Sequence, residues 1–447
     1  MQRIVIENFG SVDSFDVVFN EKMTILIGSQ ATGKSTISKL IFYCRSIKDD
    51  LYKYLLNKEK FIDINENDCF INFLKELRSK FVGYFGTTKH MRNFKIKYYC
   101  NSIDNSEYSK NIIITLKNGY ANVKFSDDLV QGIHMILRTV ISFYISSNDT
   151  SSAATSNAFN IAVWQSQQAQ FSSALQEQIN NLFSDNTLPL YIPAGRGLLA
   201  TMSEHFRLIS DVTHDKLLKD FIERISLLKT QFSQRLDEIV EDKKRLSSDK
   251  INSKNVKKAI SIIRKILKGD YICDKEGEKI YFNKHEYVKL TFSSSGQQEA
   301  LWILLLLFSI ILENYKVFLI IEEPEAHLFP EAQKYIMELI VLTANATGSQ
   351  IIITTHSPYI LTSANLLIHS ASVENRISGE EAIIDKDMRL KENELGAYML
   401  SKNGSFTYES IIDKNTGLIE AREIDSVSGI INQQTEQLID LEVKYGL

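Results

Sequence analysis

Residues Met23–Leu40 read MTILIGSQATGKSTISKL, an apolar run, a turn with two glycines and a stretch suited to a helix. Gly28, Gly33, Lys34 and Ser35 fit the Walker A pattern G-x-x-x-x-G-K-[ST], with Thr36 directly after it. The chemistry behind that pattern is specific. Glycines let backbone N–H groups curl around phosphate oxygens, the lysine reaches the β and γ phosphates of ATP, and the hydroxyl meets Mg²⁺. The β-branched and leucine residues of Thr24–Ile27 suit a strand buried on both faces, and Thr36–Tyr43 continues as a helix whose N-terminus faces the anion. A buried strand running into a phosphate turn and a covering helix requires an α/β arrangement. It does not name a job, because such loops serve kinases, GTPases, motors and transporters alike.

Three later stretches narrow the choice. Val317–Glu325 reads VFLIIEEPE, an apolar strand ending in carboxylates. That is the layout of a Walker B strand, in which Glu322 holds Mg²⁺ through its hydration shell and Glu323 activates the attacking water. Gln350–Thr355 is another apolar run, followed by His356, which could hydrogen-bond the γ-phosphate and the attacking water. SSSGQQE, directly before the apolar run Ala300–Leu312, crowds small residues and backbone N–H groups at a helix start, a second anion site. Each stretch has a plainer reading: paired acids cap a turn, a Ser-Gly cluster makes a loop, and a histidine after a strand is structural. Their order along one chain favours function.

This order resembles the ABC-type ATPases of the branch that holds RecF, SMC heads and the overcoming-lysogenization-defect (OLD) family. EEPEAHL followed by Phe329 and Pro330 is most similar to OLD-type sequences, which carry a second histidine where this chain has Phe329. SSSGQ resembles the LSGGQ signature through Ser294, Gly296 and Gln297, with Ser295 in place of its first glycine. The resemblance covers residues 1–43 and 286–365. It implies an α/β ABC-type P-loop head, a mixed sheet with flanking helices and a small antiparallel sheet, carrying a helical insertion. It also implies a head-to-tail dimer or higher oligomer in which Ser294–Gln297 of one copy meets the ATP held by Gly28–Thr36 of another. The family's Q-loop glutamine has no diagnostic place in the Gln-rich segment 163–183.

The chain has 447 residues, 44% hydrophobic and 24% charged, with formal net charge −4, so nothing global points to nucleic acid. Its four cysteines are far apart, which suggests a reducing compartment without disulfides or structural zinc. No basic-then-apolar leader opens MQRIVIENFG, and the apolar run at 300–312 is too short to span a bilayer, so a cytoplasmic location and no membrane partner are expected. Two strands are expected at 3–8 and 12–19, antiparallel strands between 93 and 125 with a hairpin turn at Asn118-Gly119, and a polar surface loop at 147–158. Leu188–Pro193 reads as a further buried strand. Leu218, Phe221, Ile225, Leu228, Phe232 and Ile239 follow a 3-4 spacing that predicts a short coiled-coil-like arm, with 255–268 returning as the second half of a helical hairpin. The expected division is a split head (1–43 and 286–370), an insertion (44–285) with its arm at about 213–268, and a C-terminal extension (371–447).

Between Lys243 and Lys268 the chain is basic at Lys243, Lys244, Arg245, Lys250, Lys254, Lys257, Lys258, Arg264, Lys265 and Lys268, against the single acid Asp249. That is a candidate nucleic-acid patch, weighed against a solvated helical face. Asp385 and Asp387 form a DxD, but no Glu-Gly strand precedes it, so solvated turn residues are favoured over an intrinsic nuclease. A head of this kind, with a modest insertion and no effector domain, resembles the ATPase subunits of two-gene anti-phage systems of the Septu and PARIS types; GSQATGKSTISKL and YIPAGR are similar to that group. The resemblance implies a sensor ATPase, using ATP and Mg²⁺, that controls a separate nuclease or toxin, with a phage protein or nucleic acid as trigger. The alternatives are a RecF-like DNA-repair ATPase and a transporter ATPase, the latter disfavoured by the large insertion.

Overall fold

The computed structural model describes residues 2–61, 65–100, 110–151, 158–201, 215–246, 252–374, 383–403, 405–420 and 433–438. In chain order the strands are β1 (Gln2–Phe9), β2 (Val12–Phe19), β3 (Met23–Gly28), β4 (Lys95–Tyr99), β5 (Asn111–Lys117), β6 (Tyr120–Phe125), β7 (Leu188–Ile192), β8 (Asp270–Asp274), β9 (Gly277–Tyr281), β10 (Tyr287–Lys289), β11 (Val317–Glu322), β12 (Gln350–Thr355), β13 (Leu395–Asn403) and β14 (Ser405–Ser410). The helices are α1 (Lys34–Leu56), α2 (Glu66–Phe85), α3 (Asp127–Ser151), α4 (Ala158–Phe183), α5 (Arg196–Thr201), α6 (Lys216–Lys229), α7 (Leu236–Leu246), α8 (Ser253–Leu267), α9 (Ser295–Glu313), α10 (Pro330–Thr347) and α11 (Pro358–Glu374).

Every residue of β3 and β11 is buried, as continuous apolar runs require of central parallel strands. They lie in a six-stranded sheet of order β14-β13-β3-β12-β11-β7, parallel except for the β13–β14 hairpin. One lateral row runs Ala397, Ile25, Ile353, Ile321, Ile192. Alternation along the strands feeds two apolar clusters. Ile25, Ile321 and Ile353 face the cluster built with α8, α9 and α10, while Leu26, Ile320 and Ile352 face the one built with α1, α2 and the antiparallel sheet. Helix α9 is apolar nearly all round and buried, with Trp302 and Phe308 among the fully buried side chains. By length and apolarity α9 could cross a membrane, the one such helix among the described residues, but here it is a core helix.

The expected N-terminal strands and the expected sheet at 93–125 form one five-stranded antiparallel sheet, β2-β1-β4-β5-β6, because β4 pairs with β1. Asn118 and Gly119 both have positive φ, the hairpin turn read from their types. A three-stranded sheet, β10-β9-β8, lies beside α8 and α9. Of the expected surface loop at 147–158, residues 147–151 extend α3, and 152–157 lie outside the described residues.

Two expectations are corrected. The central sheet crosses the boundaries drawn at 43, 286 and 371: α1 runs on to Leu56, β7 comes from the supposed insertion, and β13 and β14 come from the supposed extension. And among the described residues no helical arm projects. The 3-4 pattern is broken between α6 and α7, where buried Phe232 turns into the core and its carbonyl accepts a hydrogen bond from the Cys273 N–H at 2.7 Å. Helix α8 buries Val256, Ala259, Ile260, Ile263 and Ile266 against α9 and α10. A strongly amphipathic helix with a large neighbouring apolar surface docks on it rather than pairing with a short solvated helix.

Among the described residues, five of the ten basic residues of the 243–268 stretch form ion pairs within the chain. Lys243 pairs with Glu313, Arg245 with Asp242, Lys254 with Asp387, and Arg264 with both Asp237 and Asp270. Lys258 donates at 2.5 Å to Asp385 and at 2.5 Å to Asp387, so the DxD is an ion-pair hub rather than a pair of solvated turn residues. Lys250 lies outside the described residues. All four cysteines are free.

Candidate functional site

The parallel strands end together, and their carboxyl ends carry the motif residues, the usual place for a ligand site in an open α/β sheet. Gly28 closes β3, Glu322 closes β11 opposite Thr354, and Thr355 closes β12 opposite Ile27. Gly33 is the N-cap of α1 with φ +96°, and a side chain there would meet Val12 Cγ2 at 2.7 Å. Lys34 is buried, and its ammonium donates to the carbonyls of Gly28 and Ser29, each at 2.8 Å. Burial pulls the Lys34 pKa down to about 8, against the opposing fields of Glu323, Glu325 and Glu322. Ser35 is exposed and Thr36 half-buried in the first turn of α1.

Glu322 is buried. Its Oε2 accepts from the Ala194 N–H at 3.2 Å, while Oε1 is enclosed and makes no hydrogen bond. An unpaired carboxylate oxygen beside a phosphate turn fits a hydrated Mg²⁺, which takes one or two carboxylates plus substrate oxygens and leaves the rest of its shell to water. The Ser35 hydroxyl is the second hard-oxygen donor expected there. Among the described residues no cluster of three or more His, Cys, Asp and Glu side chains could hold a metal unaided.

Glu323 has φ +44°, uncommon for a residue with a side chain. Its N–H donates to the Thr354 carbonyl at 2.8 Å, and its carboxylate lies 3.5 Å from His356 Nε2, with both side chains partly open to solvent. The expected base and the expected histidine therefore face each other across neighbouring strands. Glu325, which the sequence reading passed over, fixes the histidine's backbone: its Oε1 accepts from the Thr355 hydroxyl at 2.7 Å and the His356 N–H at 2.8 Å. Arg196 is the other omission, a fully buried side chain whose guanidinium reaches the carbonyls of Glu322 and Glu323. The stretch YIPAGR and the third carboxylate of EEPE were the only signals for these two residues. Periodicity does not distinguish them from loop polar residues.

Ser294 is the N-cap of α9 in a reciprocal capping box with Gln297. Gln297 also donates to the Leu267 carbonyl at 2.6 Å. Ser294 and Ser295 are exposed, and with Gly296 and Gln297 they line a surface groove of about 340 Å³ shared with Lys265, Lys268, His327 and Phe329. Gly296 packs on the His327 carbonyl, where a Cβ would lie 2.8 Å away. Among the described residues no hydrogen bond or ion pair joins Ser294–Gln297 to Gly28–Thr36. One chain thus gathers Lys34, Glu322, Glu323 and His356 at the sheet's end and leaves the Ser-Gly turn facing outward.

No curated protein matches the sequence. Among solved structures, the SMC head bound to the C-terminal winged-helix domain of ScpA is 13% identical, with 91% of this chain and 96% of that chain covered and a TM-score of 0.40. The SMC head domain from Thermotoga maritima is 11% identical, covering 92% of this chain and 98% of that one, with a TM-score of 0.35. The family model for the AAA ATPase domain (AAA_15) matches residues 1–361, and the chain belongs to that family of ATP-binding ATPases.

Proposed function

We propose that this protein is an ATP-hydrolysing sensor whose heads pair around ATP and whose nucleotide state controls a separate effector, a nuclease or toxin, in anti-phage defence in the cytoplasm. The observation that carries the hydrolytic part is the convergence of Lys34, an unpaired Glu322 oxygen, Glu323 and His356 at the carboxyl ends of the central strands. In this reading Gly28–Thr36 cradle the phosphates, Lys34 exchanges its two carbonyl partners for phosphate oxygens, and Ser35 and Glu322 are the residues that would hold Mg²⁺. When bound, that ion would neutralise phosphate charge. Glu323 takes a proton from the attacking water, and His356, beside it, orients that water and the γ-phosphate.

Pairing of heads is supported by the outward-facing α9 start. Ser294–Gln297 offer a capped helix N-terminus with a groove beside it, and no lysine of the Walker type stands within the turn. The resemblance to two-gene defence ATPases supports the effector part. The RecF-like alternative loses support from the basic stretch, since Lys243, Arg245, Lys254, Lys258 and Arg264 already face carboxylates of this chain.

The test uses the full chain and Glu323→Gln. The variant should bind ATP with wild-type affinity, lose turnover by about 10²–10⁴-fold, and accumulate a species of twice the monomer mass in light scattering when ATP is present. Wild-type turnover in Glu323→Gln removes Glu323 as the base. Unchanged mass with ATP in both proteins removes the pairing of heads.

A further inference from the structure

We propose that Arg196 is a positioning residue for Glu323 and that Glu299 couples it to the start of α9. This rests on the reading of Glu323 as the base. The Arg196 guanidinium is fully buried and donates to four main-chain carbonyls: Pro193 at 2.6 Å, Glu322 at 2.7 Å, Glu323 at 2.8 Å and Glu299 at 3.0 Å. Two of these belong to the turn that carries the carboxylates. A planar guanidinium presents its donors in a rigid fork, so it fixes the directions of several carbonyls at once, which a lysine cannot do.

Glu323 needs such fixing. Its left-handed backbone is a conformation that residues with side chains hold only when the surroundings over-determine it. Here the N–H is tied to Thr354 on β12, and the carbonyl accepts from Arg196 and, at 3.1 Å, from the Ala326 N–H. Without Arg196 the Glu322 carbonyl loses a buried donor, the turn can relax, and the Glu323 carboxylate swings away from His356. Glu299 supplies the other connection. Its two carboxylate oxygens accept from the Arg196 N–H at 3.0 Å and the Gly197 N–H at 2.7 Å. Glu299 also lies in α9 shortly after the Ser294–Gln297 box, so a body docking on that box bears on the same helical segment that holds Arg196.

The experiment measures nucleotide affinity and single-turnover ATP hydrolysis for Arg196→Lys, Arg196→Met, Glu299→Gln, and each combined with Glu323→Gln. The arginine variants should keep affinity within about threefold and lose about 10²-fold in hydrolysis, the scale of a misplaced reacting group. Glu299→Gln, which keeps one acceptor oxygen, should lose about tenfold. In the Glu323→Gln background each added substitution should change the residual rate by less than about threefold, because it acts through Glu323. Three results overturn the proposal: hydrolysis close to wild type, a loss lying wholly in affinity, or a loss carried in full into the Glu323→Gln background. Should the arginine variants fail to fold, the Glu299→Gln pair decides by the same criterion. Normal hydrolysis by Glu323→Gln alone overturns the base assignment and this inference with it, a failure distinguishable from the other three.

Discussion

Lys34 carries an ammonium that the fold desolvates, holding its pKa at about 8, below the usual lysine value. The sign follows from linkage. A depressed lysine pKa means that the folded protein binds fewer protons than the unfolded chain between about pH 8 and the unfolded value, so this group's stability penalty is full below 8 and fades as pH rises through that window. Phosphate binding runs the other way, because it requires the charge. ATP affinity of the wild-type protein should therefore be flat below about pH 8 and fall by up to roughly tenfold per pH unit above it. Lys34→Ala should bind ATP weakly at every pH, without that break; fluorescence titration with a nucleotide analogue across the range checks both. A wild-type affinity that stays constant to pH 9.5 would contradict the assignment of the break to Lys34. At this scale the positions of Gly28, Gly33, Lys34, Ser35, Glu322, Glu323 and His356 at strand ends and a helix start could be read from the motifs and their order. Those of Arg196 and Glu325 could not, because their roles are hydrogen bonds to backbone, which leave no periodic trace.

At the scale of elements, α8 shows how a pattern misleads. Its charges read as a patch and its apolar positions as half of an arm, yet Ile260, Ile263 and Ile266 are buried in the main core and Lys258 bridges to Asp385 and Asp387. Burial, the largest single influence, would raise the Asp385 carboxyl, but the hydrogen bonds from Lys258 and the Asp387 N–H, with the charges of Lys258 and Lys254, together outweigh it and hold it below the usual carboxylate range. A depressed carboxylate contributes stability that is present at neutral pH and is lost as pH falls through its folded pKa. Lys258→Ala should thus destabilise the protein by about 1–2 kcal/mol at neutral pH, a value discounted for the partial exposure of the aspartates. The gap from wild type should narrow below about pH 4. Chemical denaturation at the two pH values measures it. Loss of DNA binding with wild-type stability would instead return this stretch to a nucleic-acid role.

For the whole molecule, the arrangement to explain is a sheet assembled from distant parts of the chain. β3 lies between β12 and β13, so the nucleotide strand takes one neighbour from after residue 390. A chain truncated after Glu374 would leave one edge of β3 unpaired and uncover apolar surface of Leu26 and Leu400's neighbours, an aggregation-prone edge. Such a protein should be insoluble or lack a cooperative melt, as near-ultraviolet circular dichroism would report; a truncated form that melts cooperatively and binds ATP would make β13 dispensable. By itself the sequence determined the local chemistry: a phosphate turn needs its glycines and lysine in fixed order, and a doubly buried strand must be continuously apolar, so β3, β11, β12 and their terminal residues could be read in place. Only the tertiary structure decided which strand lies beside which, that β7 and β13 belong to the head, that α8 is core rather than arm, and that Arg196 grips the carboxylate turn. Those outcomes depend on which distant surface an apolar face or a buried donor meets, and no local pattern of residues encodes that meeting.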